Sequence, residues 1–209
     1  MAYLVKELFF TRQGEGVRTG RQAVFCRFSG CNLWSGREAD RSTGCSRWCD
    51  TDFVGMNGTG GGRYLTAEAL ARAAKDHWQA DGRPYIVCTG GEPLLQLDGR
   101  LIDALHAVGF EIAIETNGTL PVPPGVDWVC VSPKSGSKCV VDVADELKLV
   151  YPQPGQSPED FDFIKSQHRL IQPLDDQNAR ENLQSAVQYC QRNPAWQLSI
   201  QMHKIWGIR

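Results

Sequence analysis

The chain has 209 residues, 42% hydrophobic and 22% charged, with a net charge of -2 and a pI ≈ 6.1. That length fits one domain with a sizeable core and is short for two, and the balanced charge excludes the broad basic face of a nucleic-acid binder. No stretch approaches the roughly 18 apolar residues of a membrane span. No basic stretch precedes a long apolar run near Met1, so a cytoplasmic protein without a secretory signal is expected.

Taken in chain order, residues 4–10, mostly apolar, read as an added edge strand. Residues 24–28 (VFCRF) form the first core strand, in which Arg27 points opposite to Cys26 and Phe28. An irregular stretch, 32–44, follows. The run 55–62 (GMNGTGGG) is a flexible connector by composition. Thr66 is the expected N-cap of a helix to Trp78, with Glu68 in its first turn. A strand at 85–89 runs into TGGEP. Asp98 opens a helix whose Leu101, Ile102, Leu105 and Val108 share a face, and Gly109 ends it. Strands at 111–115, 128–132, 146–151 and 168–172 follow. A helix spans 176–192, and residues 197–202 read as a last strand.

Strand and helix alternate, which argues for an α/β fold with a parallel sheet. Some connections, such as 132–146, lack a helical pattern, and a closed eight-fold barrel needs about 250 residues. The expected fold is therefore a partial, open parallel β/α barrel with about six core strands and few helices. Polar or glycine-rich clusters follow five of the strands: SGC, TGGEP, TNG, PK and QP. In parallel α/β folds these strand ends form the ligand-binding rim.

Eight cysteines are present, and disulfides are a poor reading without a secretory signal. Cys26, Cys88 and Cys130 sit in apolar runs and read as small buried hydrophobes. Cys31, Cys45 and Cys49 lie instead among Gly, Asn, Ser, Arg and Asp. Three thiolates suit an iron–sulfur cluster with one open iron. A zinc site, or no metal, remains open on spacing alone. Trp48 could cover such a cluster and stack on a base. Gly90 and Gly91 let a ligand approach the backbone, and strand-edge carbonyls with Glu92 could take an ammonium group.

The cysteine trio with its aromatic–Cys pair, followed by TGGEP, resembles the radical S-adenosylmethionine (SAM) superfamily. FTRQGEG, GCNLWSGRE, CDTDFVG, IETNG, SPK, ELKLV and a late HK together resemble the 7-carboxy-7-deazaguanine synthase family, nearly end to end. The resemblance implies one radical SAM domain over 1–209 with an extended cluster-binding loop, 31–49. One departure is visible. The branch of the family with an extended loop after its first cysteine usually spaces its thiols C-x14-C-x2-C, whereas this chain reads C-x13-C-x3-C. Ser46 stands where the second ligand is expected, and a hydroxyl is a poor iron ligand, so the resemblance puts that role on Cys45. Cys26 is the remote alternative.

The resemblance further implies a Mg²⁺-dependent ring contraction. 6-Carboxy-5,6,7,8-tetrahydropterin would become 7-carboxy-7-deazaguanine with loss of ammonia, on the route to queuosine. A hydrogen would be taken from the pterin C6 and later returned, so that SAM is regenerated. Cys31, Cys45 and Cys49 would hold a [4Fe–4S] cluster and Thr51 the Mg²⁺. Trp48, Gly91, Glu92, Glu115, Asn117, Ser132, Pro133, Lys134, Lys148, Gln172, Pro173, Leu174 and Asp175 would surround SAM, with the alternative for Lys148 of an inward ion pair with Glu146 or Glu115. Arg12, Gln13, Gly14, Glu15, Gly16, Arg27, Thr89, Gly90, His203 and the terminal carboxylate of Arg209 would line the pterin. Arg27 suits a carboxylate, against a salt bridge to a structural Glu. A homodimer and a flavodoxin or ferredoxin donor are implied as partners. Two other readings are a radical SAM activase acting on a partner protein, which would lack the RQGEG loop, and a zinc- or cluster-bound binding module without chemistry.

Overall fold

The computed structural model describes residues 2–41 and 44–209. The predicted 31–49 loop therefore includes two positions, 42 and 43, outside the described residues. Nine strands form one sheet, β1 (Tyr3–Arg12), β2 (Gln22–Phe28), β3 (Gly62–Tyr64), β4 (Tyr85–Gly90), β5 (Glu111–Thr116), β6 (Trp128–Val131), β7 (Val143–Tyr151), β8 (Lys165–Pro173) and β9 (Trp196–Leu198). Their order is β3-β1-β2-β4-β5-β6-β7-β8-β9. From β2 to β9 every neighbour is parallel, while β1 runs antiparallel to both β2 and β3. This is the open, mixed sheet expected of a partial barrel, with β1 and β3 added beyond the parallel set.

Helices α1 (Ala67–His77) and α2 (Gly99–Ala107) cover one half of the sheet, and α3 (Ala179–Arg192) the other. Ala67, Leu70, Ala71 and Ala74 of α1 recur at helical spacing and are buried. Thr66 accepts the Ala69 N–H at 3.1 Å, and Asp98 accepts the Leu101 N–H at 3.0 Å, so both helices start where the sequence placed them. No α-helix separates β5, β6, β7 and β8. On each parallel strand, alternate residues take opposite duties. Cys26, Ile86, Cys88, Ile112 and Ile114 face the helices in the main core. Tyr85, Val87 and Ala113 face inward with Trp128. The buried Cys130 lies on that inner side, where Lys148, Glu146, Glu115 and Glu15 act on it.

Three sequence expectations change. Residues 197–202 do not form one strand: β9 stops at Leu198, and Met202–Trp206 is a short helix, α4. Its start is fixed by the Met202 N–H donating to the Gly14 carbonyl at 2.9 Å. The helix predicted for 176–192 begins at Ala179, because Asp176 turns back through its side chain to take the Asn178 N–H at 2.8 Å. The glycine-rich run 55–62 is not a free connector. It is bonded to β1 through Leu8 N–H to Thr59 O (2.7 Å) and Gly58 N–H to Lys6 O (3.0 Å). A bulge between Val5 and Glu7 re-aims Lys6 into this loop. The Lys6 ammonium meets Asp52 (2.7 Å), Val54 O (2.9 Å) and Asn57 Oδ1 (2.8 Å).

The loop from Gln13 to Arg21 enters the barrel from the N-terminal end of the strands. Its base is closed by Gln13 N–H to Arg21 O and Gly20 N–H to Gln13 O, both 2.8 Å. Arg21 and Arg18 both bond Glu111 at the foot of β5. Higher up, the Val17 N–H donates to Glu146 at 3.2 Å, and the Gly16 N–H to Ser199 Oγ at 3.1 Å. Gly16 has φ +73°, and a Cβ there would fall on the Glu146 carboxylate.

Two outcomes follow from this packing. Leu105→Ala removes a side chain only 1% exposed and should cost about 2–5 kcal/mol of unfolding free energy. Leu65→Ala, at a residue 69% exposed, should change it by about 0.5 kcal/mol at most in the same denaturant titration. The hydrogen bonds from Arg21, opposed by burial and aided by Arg18, hold the Glu111 carboxyl at about 2. Its folded value lies below its unfolded one, so its contribution is complete above the unfolded value and is lost as pH falls towards 2. Glu111→Gln should flatten the acid limb of stability against pH; an unaltered limb would remove this pair as a source.

Candidate active site

Two cavities open at the C-terminal ends of the parallel strands. Cys31, Cys45, Trp48 and Cys49 wall the first, together with Gly91, Asn117, Ser132, Lys134, Lys148 and the Gln172–Asp175 rim. The second, about 550 Å³, is lined by Arg12, Gln13, Gly14, Arg27, His203 and Arg209. Glu15, Asp50, Thr51, Thr89, Glu115 and Gln201 line both. Of the residues expected around SAM, all but Glu92 and Pro133 line the first cavity. Of those expected around the pterin, Gly90 lines the first cavity and Gly16 neither, while the others line the second.

The three thiols share one wall and act on one another. Burial raises the Cys31 and Cys45 thiols, and the neighbouring sulfurs add to the rise. The Leu33 N–H donates to Cys31 Sγ at 3.4 Å. Among the described residues, no three His, Cys, Asp or Glu side chains converge as they would around a single ion. The thiols instead border a shared cavity, which suits a group larger than one ion. The glycines keep this wall close. A Cβ on Gly91 would fall on the Gly30 carbonyl, and one on Gly90 on the Phe28 carbonyl. These residues fit a cluster bound by three sulfurs with ligand space beside it.

Lys134 stands opposite the sulfurs, with its Nζ 5.9 Å from the Trp48 ring centre. Burial lowers its ammonium, against the pull of Cys45. It donates to the Ser132 carbonyl and to Ser132 Oγ (2.8 Å), both neutral oxygens. A partly buried cation with neutral partners suits an anionic ligand. Glu92 lies behind the wall, fully buried. Its carboxylate accepts from Thr116 Oγ1 (2.7 Å), Leu94 N–H (3.0 Å) and Asn117 N–H (2.8 Å). It therefore ties the TGGEP turn to the end of β5, and burial raises its carboxyl despite these donors.

A buried ionic node sits where the two cavities meet. The Lys148 ammonium donates to Glu15 at 2.5 Å and to Glu115 at 3.3 Å. Gln201 donates to the other Glu15 oxygen, and Gln13 to the other Glu115 oxygen, each at 2.9 Å. Burial would raise the Glu15 carboxyl, but the charge and hydrogen bond of Lys148 hold it well below the usual range. Burial would likewise lower Lys148, and Glu115 with Glu15 overrides it. Glu15 and Lys148 therefore stay ionised as a pair.

Arg27 meets the structural glutamate weighed against its carboxylate role: its Nε donates to Glu7 Oε1 at 2.8 Å. Glu7 also takes the Arg209 guanidinium. Arg27 still borders the second cavity, so ion pairing and ligand contact are compatible. Thr11 Oγ1 donates to a main-chain oxygen of Arg209 at 2.7 Å, which ties the segment after α4 to β1. His203 packs on Gly14, where a Cβ would collide with its ring. Lys204 bridges Asp50 (3.1 Å) and Asp175 (2.5 Å) across the rim. Glu7, Lys6, Gln201 and Lys204 escaped the sequence reading. Charged residues inside the apolar run YLVKELFF were the signal for the first two.

Comparison with known proteins accords with this geometry. The family model "Radical SAM superfamily" matches residues 40–143. The chain is 56% identical over 211 residues to a 7-carboxy-7-deazaguanine synthase of Bradyrhizobium diazoefficiens, covering 100% of both chains. It is 54% identical over 209 residues to that of Bordetella pertussis, again covering 100% of both. The crystal structure of QueE from Escherichia coli superposes with a TM-score of 0.71 at 26% identity, covering 97% of this chain and 95% of that one. The chain therefore belongs to the 7-carboxy-7-deazaguanine synthase family of the radical SAM superfamily.

Proposed function

We propose that this protein is a Mg²⁺-dependent 7-carboxy-7-deazaguanine synthase. It would convert 6-carboxytetrahydropterin to 7-carboxy-7-deazaguanine with loss of ammonia, using SAM catalytically. The observation that carries this reading is the pair of adjoining cavities with one common wall. One has three thiols and a cation; the other has Arg27, Arg12, His203 and the chain end. Residues 1–209 would act as one domain, with 31–49 as the cluster loop.

When bound, the cluster and SAM supply a one-electron source and a hydrogen-abstracting group. This chain's residues do the rest. Cys31, Cys45 and Cys49 would hold the cluster, and Trp48 would cover it. Lys134 and Ser132 would take the SAM carboxylate and ribose. Asn117, Lys148 and the rim from Gln172 to Asp175 would complete that pocket. With its carboxylate already satisfied, Glu92 would act by shaping the turn at Gly91, leaving strand-edge carbonyls for the SAM ammonium. Arg27 would grip the pterin carboxylate, with Thr51 placing Mg²⁺ against it. Gln13 and Glu15 would hydrogen-bond the pterin edge, and His203 and the terminal carboxylate would close over it. A homodimer, a flavodoxin or ferredoxin donor and a cytoplasmic setting complete the reading.

The test is anaerobic reconstitution with iron and sulfide, then dithionite, SAM, Mg²⁺ and 6-carboxytetrahydropterin, with product followed by mass. The expected result is 7-carboxy-7-deazaguanine at many turnovers per SAM and about four irons per chain. Cys45→Ala should lose both cluster loading and turnover. SAM cleavage without pterin conversion would remove the substrate assignment. Full iron loading in Cys45→Ala would remove Cys45 as the second ligand.

A further inference from the structure

Arg18 borders neither large cavity. Its side chain is nonetheless only 17% exposed. Its guanidinium carbon lies 3.9 Å from the Trp128 ring centre and 5.1 Å from that of Tyr85, and it pairs with Glu111. Tyr85, Glu111 and Trp128 are the first residues of β4, β5 and β6. Arg18 therefore fastens the 13–21 loop to the entry of three consecutive strands.

Neutralising Glu111 does not require it. Arg21 alone makes two bonds to that carboxylate, Nη1 to Oε1 (2.9 Å) and Nη2 to Oε2 (2.5 Å). Arg21 also lies over the Tyr85 ring, at 3.8 Å, so what Arg18 alone adds is a planar cation over Trp128, which lysine reproduces poorly. Three residues before it stands Glu15, in the ionic node. Three residues of chain span about 10 Å at most. The height of Arg18 at the barrel foot thus limits how far Glu15 reaches into the space common to both cavities.

We propose that Arg18 is a positioning residue, anchored on Trp128, Tyr85 and Glu111, that sets the reach of Glu15 and so the affinity for the pterin. This rests on the function proposed above. Arg18→Met and Arg18→Lys are compared with the unaltered protein. Hydrogen exchange of the amides of residues 14–17 is read in the protein before reconstitution. KM and kcat for 6-carboxytetrahydropterin are read after it, with iron content as control. Arg18→Met should speed exchange about tenfold and raise KM about tenfold, with kcat little changed. Arg18→Lys should lie between, and provides the reading if the methionine variant does not fold. Unchanged exchange overturns the anchor. Faster exchange with an unmoved KM, or a fall in kcat alone, overturns the positioning role. If the unaltered protein does not turn over the pterin, the functional reading falls instead, and the exchange result still decides the anchor.

Discussion

Lys148 is held between Glu15 and Glu115 inside the barrel, only 4% exposed, and three parts of the chain depend on that arrangement. Glu15 belongs to the loop before β2, Glu115 to β5, and Lys148 to β7. A lone charge there would be expelled or neutralised. One ammonium between two carboxylates, each also bonded by a glutamine amide, satisfies most of the local demand. It also aligns the wall that both cavities use.

The same logic extends along the rim, where ion pairs rather than apolar contacts join distant segments. Lys6 holds the loop after Cys49 through Asp52 and Asn57. Lys204 spans Asp50 and Asp175. Arg27 and Arg209 share Glu7. An open barrel lacks the strand pairing that would close its edge. In this chain the segment after β9 crosses to β1, with Met202 bonded to Gly14 and Arg209 to Thr11. Polar side chains thus provide part of the closure that hydrogen-bonded strands provide in a full barrel.

Local rules made the helix caps at Thr66 and Asp98, the core strands and their polar ends legible from sequence. The cysteines divided correctly by setting: Cys26, Cys88 and Cys130 are buried, and Cys31, Cys45 and Cys49 wall a cavity. Long-range pairing was legible only in part: Glu115 was one partner open to an inward Lys148, and the two bond at 3.3 Å. Lys148 and Glu15 are separated by 133 positions, and nothing near either names the other. Glu92, at a strand end beside two glycines, looked available to a ligand's ammonium group, yet three internal donors hold it. Residues 197–202 alternate like a strand, but the Gly14 carbonyl stops the run and turns it into α4. For Lys148 and for α4 the deciding partner lies more than a hundred positions away in the chain.

The central claim is that the Lys148 node organises the site, and unfolding of Lys148→Met tests it most directly. Loss of the ammonium leaves two buried carboxylates unpaired, so denaturant titration should show a loss of about 3–5 kcal/mol. Adding Glu15→Gln and Glu115→Gln should recover much of that loss, because amides carry no unpaired charge. A loss below about 1 kcal/mol in Lys148→Met, or no recovery in the triple variant, would contradict the claim.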